Sequence, residues 1–110
     1  MTNRIELNEA AIQDLSKEAQ VVLKAFIETK SDKDLSALIA IVLTEFTTDI
    51  TPQNITNDTN FITGLDLDSL AITEFIFLFE DLFNLKISNE NLLQLQTVGD
   101  FKQFIFEQFN

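Results

Sequence analysis

Apolar side chains recur at three- and four-residue steps along most of this chain, the spacing of helix faces and not of strands. From Asn8 to Lys30, Ile12, Leu15, Ala19, Val22 and Phe26 make one stripe and predict a single first helix. Ser31-Asp32-Lys33-Asp34 interrupts the stripe and restarts it, with Ser31 placed to cap and Asp34 at the acidic position of a capping box. The second helix, about Asp32 to Phe46, carries Leu35, Leu38, Ile39, Val42, Leu43 and Phe46. Thr47 to Leu67 is dense in turn and cap residues (Thr51-Pro52, Asn54, Asn57-Asp58, Gly64) and reads as one long connection. Phe61, Ile62, Leu65 and Leu67 are its anchors to the helices, and a loop of this length in a small domain is often functional. A third helix, Ser69 to about Phe83, is the most apolar. A short turn or helix near Asn89 to Leu95 follows, and Thr97-Val98-Gly99-Asp100 is a second capping box, opening a last helix with Phe101, Phe104, Ile105 and Phe109. Strand alternation is rare and hairpin dipeptides are absent, so the pattern predicts an all-α bundle.

The third helix is divided by face. Turning 100° per residue places Ala71, Ile72, Phe75, Ile76, Leu78, Phe79, Leu82 and Phe83 on one broad side. Ser69, Leu70, Thr73, Glu74, Phe77, Glu80 and Asp81 take the other. An aromatic ring and a leucine among three carboxylates predict a protein-docking surface there. The competing reading packs Phe77 under the long loop or the N-terminal helix.

Composition narrows the chemistry. At 110 residues the chain has room for one compact domain, and 11 Phe supply much of its core. It has no Cys and no His, hence no disulfide, no thiolate, and none of the usual ligands of zinc, copper or haem. The polar start, Met1 to Glu6, is unlike a signal peptide, and no apolar run is long enough to cross a bilayer; both predict a cytoplasmic protein. The sequons Asn54-Ile55-Thr56 and Asn57-Asp58-Thr59 are accordingly read as loop residues. Net charge is −11, and its distribution is uneven: residues 1–30 hold five acids and four bases, whereas the remainder holds thirteen acids and three bases. No base lies between Lys33 and Lys86. Such a field repels nucleic acid and anionic membranes and attracts basic protein surfaces.

Ser69 stands behind Asp66-Leu67-Asp68, at the start of the third helix. Nothing nearby makes it a nucleophile: the chain has no imidazole, and Gly64 and Gly99 are its only glycines, too few for a phosphate cradle. A calcium loop begun at Asp66 puts Leu70, Ala71 and Phe77 where ligand, glycine and glutamate belong. A helix N-terminus does favour a phosphate on the serine oxygen. Asp68 is then a cap, or a partner for a metal ion brought by the phosphate donor; as plain structure, Asp68-Ser69 is a helix cap and nothing more.

The run from Phe61 to Leu70, with Glu74, Phe79-Glu80-Asp81, Phe83, Leu85 to Ser88 and the Thr97-Val98-Gly99-Asp100 start, resembles the acyl carrier proteins over residues 31 to 110. The resemblance implies a four-helix bundle with a long loop between its first two helices, here with an extra N-terminal helix in residues 1–30. It implies a carrier, not an enzyme, whose serine, Ser69, is esterified with 4′-phosphopantetheine by a phosphopantetheinyl transferase. Asp68 supports that attachment, and no metal is held. It also implies a Phe-rich interior that shelters the cargo, and a recognition face of Asp66, Leu70, Glu74, Phe77, Glu80 and Asp81 for acyl-loading and acyl-using enzymes with basic patches. The expected carrier is a monomer that neither binds nucleic acid nor inserts in membranes, and serves fatty-acid, polyketide or specialised lipid synthesis. Three departures stand out: Gly64-Leu65-Asp66 replaces the usual Asp-Leu-Gly, Ala71 replaces an acid, and Ser88 to Gln96 carries only Glu90. The alternative is an unmodified acidic adaptor using the same face. For residues 1–30, packing on the bundle is favoured over pairing two chains or docking a dedicated partner, since an isolated helix of that length is marginal.

Overall fold

The computed structural model describes residues 7–45, 55–61, 63–64 and 67–108, with the backbone alone for residues 69 and 89. Phe46, Pro52, Asn54, Ile62, Leu65, Asp66 and Phe109 lie outside the described residues. Those described form six helices: α1 (Glu9–Gln13), α2 (Lys17–Thr29), α3 (Asp32–Thr44), α4 (Ser69–Phe83), α5 (Asn89–Gln94) and α6 (Val98–Gln108). The fold is all-α, as the periodicity predicts, and α3 to α6 follow the order of the four helices that the resemblance implies.

The single helix expected from Asn8 to Lys30 is two. Asn8 caps α1, accepting the N–H groups of Ala10 and Ala11 at 3.1 and 3.3 Å, and Lys30 ends α2 in the left-handed conformation at φ 54°. Between them Ser16 starts a new helix by accepting the Ala19 N–H at 3.1 Å, and the chain turns at Asp14 and Leu15. Leu15 still reaches the core, so the apolar stripe runs on through a break in the backbone.

One core joins all of this. Leu15, Ala19, Leu23 and Phe26 share a cluster with Leu35, Leu38, Ile39, Val42 and Leu43 of α3 and with the inner face of α4. Phenylalanines dominate it. Phe79 lies 5.0 Å from Phe75 and meets Phe101 edge-on at 5.0 Å, and Phe61 packs on Phe75 at 5.7 Å. Phe26 of α2 meets Phe83 at 6.3 Å and Phe106 at 6.0 Å, both edge to face, the arrangement ring quadrupoles favour.

The connection before α4 is tied to the start of α6. Gly99 donates its N–H to the Asn57 carbonyl at 2.9 Å, Val98 to Thr59 at 2.9 Å, and Phe61 donates to Gln96 at 3.0 Å. Thr97 and Asp100 form the expected reciprocal capping box: Thr97 Oγ1 accepts the Asp100 N–H at 3.1 Å while Asp100 Oδ2 accepts the Thr97 N–H at 3.2 Å. Phe61 and Leu67 are buried, so the segment leading to Ser69 is anchored at both ends. The box at Ser31 is a relay instead. Ser31 Oγ accepts the Asp34 N–H at 3.1 Å, but the Asp34 carboxylate takes the Thr29 hydroxyl at 2.5 Å, and Thr29 Oγ1 accepts the Ser31 N–H at 3.2 Å.

Candidate functional site

α4 begins where the sequence places it, because Asp68 is an N-cap. Its backbone is extended, its Oδ1 accepts the Ala71 N–H at 2.8 Å, and its carbonyl accepts the Ile72 N–H at 3.1 Å. Ser69 is the first helical residue. Helix geometry leaves the N–H groups of Ser69 and Leu70 without an intrahelical acceptor, at the positive end of a 15-residue helix. Asp68 is exposed and Leu70 is 67% exposed, so this first turn faces solvent. A helix N-terminus of this kind favours negative charge close to its free N–H groups.

Beyond the first turn the two faces separate as the periodicity requires. Phe75, Ile76, Phe79, Leu82 and Phe83 are buried, with Ala71, Ile72 and Leu78 packed against them. Thr73, Glu74 and Asp81 are exposed, and Phe77 is 54% exposed, so its ring is not buried. Glu80 differs from the other two acids. It is half-buried, and its Oε2 accepts the Ile87 N–H at 2.6 Å while its carbonyl accepts the Leu85 N–H at 3.0 Å. Glu80 therefore holds the turn from α4 to α5, whereas Glu74 and Asp81 stand in solvent beside Phe77.

Two features had no signal in the local sequence. α1 lies alongside α4, held by the Asn8 N–H on the Leu82 carbonyl at 3.0 Å, which brings Ala11 and Asp14 next to Glu74, Phe77 and Asp81. Lys102 is buried, with its Nζ 2.7 Å from Ser36 Oγ and 2.8 Å from Asp32 Oδ1, joining α6 to the start of α3. Among the described residues no group of His, Cys, Asp and Glu is arranged to hold a metal, and no helix is long and apolar enough to cross a membrane.

Residues 36–105 match the family described as phosphopantetheine attachment site. The chain is 39% identical over 61 residues to an acyl carrier protein of Chlamydia trachomatis serovar D, spanning 56% of this chain and 79% of that one. It is 38% identical over 63 residues to an acyl carrier protein of Rhodococcus erythropolis, spanning 57% and 69% of the two chains. Against a meromycolate extension acyl carrier protein of Mycolicibacterium aurum the identity is 36% over 75 residues, 68% of this chain and 76% of that protein. A solvent-facing helix start behind an anchored loop, in a bundle that this family covers for most of its length, has one reading: the chain belongs to the acyl carrier proteins, carriers of covalently attached 4′-phosphopantetheine.

Proposed function

We propose that Ser69 is the attachment residue, and the observation that carries this is its position as first residue of α4, behind the cap Asp68. In the loading step the Ser69 hydroxyl oxygen attacks the pyrophosphate of coenzyme A at the phosphorus on the pantetheine side. A phosphodiester forms at Ser69 and adenosine 3′,5′-bisphosphate leaves. The serine proton passes to a base on the transferase. Once attached, the group supplies a terminal thiol that holds an acyl chain as a thioester. Asp68 orders the first turn and offers a carboxylate to the metal ion that accompanies coenzyme A.

Partner enzymes dock through Leu70, Glu74, Phe77 and Asp81, an apolar pair set among acids, with Asp66 and Glu80 adding to the negative field. A basic partner patch is recognised at long range by charge and at contact by Leu70 and Phe77. The cargo belongs to lipid synthesis, as the meromycolate extension role in the name of the M. aurum relative supports. Residues 1–30 form a helical extension to a carrier domain of residues 31–110.

The test is intact mass after incubation with coenzyme A, magnesium and a broad-specificity phosphopantetheinyl transferase. The wild type gains one phosphopantetheine and Ser69→Ala gains none at unchanged helicity. Loading of Ser69→Ala would place the attachment elsewhere, and loss of its fold would make Ser69 a structural cap.

A further inference from the structure

Between α1 and the exposed face of α4 runs a groove of about 260 Å³, lined by Ala11, Asp14, Glu74, Phe77, Leu78 and Asp81. Its apolar residues come from both helices: Ala11 and Leu78 are half-buried, and Phe77 remains 54% exposed although a helix lies beside it. The small side chain of Ala11 leaves the ring of Phe77 open. Every charged residue in the lining is a carboxylate, two from α4 and one from the C-cap of α1. The placement of α1 is set by the Asn8 N–H on the Leu82 carbonyl and by the Asn8 side chain over the first turn of α1.

We infer that α1 and α4 together form a two-walled docking groove for a partner segment that presents an apolar side chain between basic ones. The inference rests on the reading of the α4 face as the docking surface and adds the second wall. Charge complementarity names the occupant. The apolar floor takes one side chain, and three carboxylates on the rim meet flanking Arg or Lys. A second copy of this chain brings a net charge of −11 to the same place and is repelled. The matched family segment begins at residue 36, so this wall comes from outside it.

A labelled peptide with Leu set between Arg residues serves as probe, titrated into the full-length protein by fluorescence anisotropy and by amide NMR. The expected result is shift changes on both walls, at Ala11 and Asp14 as well as Glu74, Phe77 and Asp81, fading as salt is raised. Asp14→Lys, at an exposed position, weakens binding about fivefold to tenfold, by charge reversal at the rim. Ala11→Arg fills the groove and weakens it further. Shifts confined to α4, with both α1 variants binding like wild type, would overturn the groove and leave the α4 docking face standing. Shifts on neither helix would overturn both. Concentration-dependent shifts at these residues without peptide would assign the groove to a second copy and refute the basic partner.

Discussion

Three acids on one helix face do different work, and their hydrogen bonds say which. Glu80 spends its carboxylate on the Ile87 N–H, a charge-assisted bond at a half-buried position, while Glu74 and Asp81 stand exposed. Glu80→Ala should cost about 1–2 kcal/mol of stability, the loss of such a bond, and Glu74→Ala and Asp81→Ala about 0.5 kcal/mol or less. Urea unfolding of the three variants checks this. Partner-binding effects of a Glu80 variant thus need a stability control that the other two do not. Asp34 offers a second test at this scale. The Thr29 hydroxyl first, and then that of Ser31, hold its carboxyl below the ordinary 3.8. A lowered carboxyl stabilises the fold fully above its ordinary value, and that contribution is lost as pH falls through the lowered one. Thr29→Val removes the larger cause. The stability difference between wild type and Thr29→Val should be constant above about pH 5 and shrink in acid. A residual difference stays, because Thr29 Oγ1 also accepts the Ser31 N–H at either pH. A difference that holds flat into acid would mean the Asp34 bond is not formed in solution.

At the scale of elements, the segment leading into α4 is shaped by close approach. Gly64 donates its N–H to the Asn60 carbonyl at 2.8 Å, and a Cβ on Gly64 would sit 2.8 Å from that same carbonyl oxygen. Its φ is not positive, so the demand is for space and not for a left-handed turn. Gly64→Ala should therefore destabilise by about 1–3 kcal/mol, the cost of forcing packed groups apart, measurable as a lower urea midpoint with helicity retained. A midpoint equal to wild type would show that the turn relaxes at no cost. The glycine of this lead-in was legible as a turn signal, but the atoms that crowd it come from a local fold that composition does not reveal. The start of α4 was fully legible, since a cap is local chemistry: Asp68, then a helix of unbroken apolar period ending at Phe83. The break in the N-terminal helix was not. Leu15 keeps the three- and four-residue spacing across the turn, so periodicity ran through it, and the contrary signal was a single serine, Ser16, ahead of Lys17-Glu18-Ala19. The bonds tying residues 57–61 to Gln96, Val98 and Gly99 join backbone atoms far apart in sequence and leave no periodic trace.

Across the whole molecule, two long-range effects act against each other. A net charge of −11 on a small domain opposes compaction by self-repulsion, and packing of aromatic side chains must exceed it. Residues 1–30 bear on that balance directly. They carry almost none of the net charge, yet through Leu15, Ala19, Leu23 and Phe26 they supply buried surface to the core. Phe26 is fully buried and covers Phe83 of α4 and Phe106 of α6, so its loss exposes rings on two other helices. Fully burying a side chain such as Leu or Phe stabilises by about 1.5–3 kcal/mol, and Leu23 with Phe26 alone accounts for about 3–6 kcal/mol of a domain's typical margin of about 5–15 kcal/mol. We predict that deleting residues 1–30 lowers the melting temperature by about 10 °C or more, at the scale of about 4–8 °C per kcal/mol for a domain of this size. Phe26→Ala in the full chain, costing about 3–5 kcal/mol, should reproduce much of the fall. Residues 31–110 keep a charge of −10, so added salt should restore part of the lost stability, more for the truncated chain than for the full one. A truncated chain that melts where the full chain does would make the extension an appendage. Phe83 and Phe106 would then be covered by the rest of the bundle, and α1 would reach the α4 face only through the contacts that α1 itself makes.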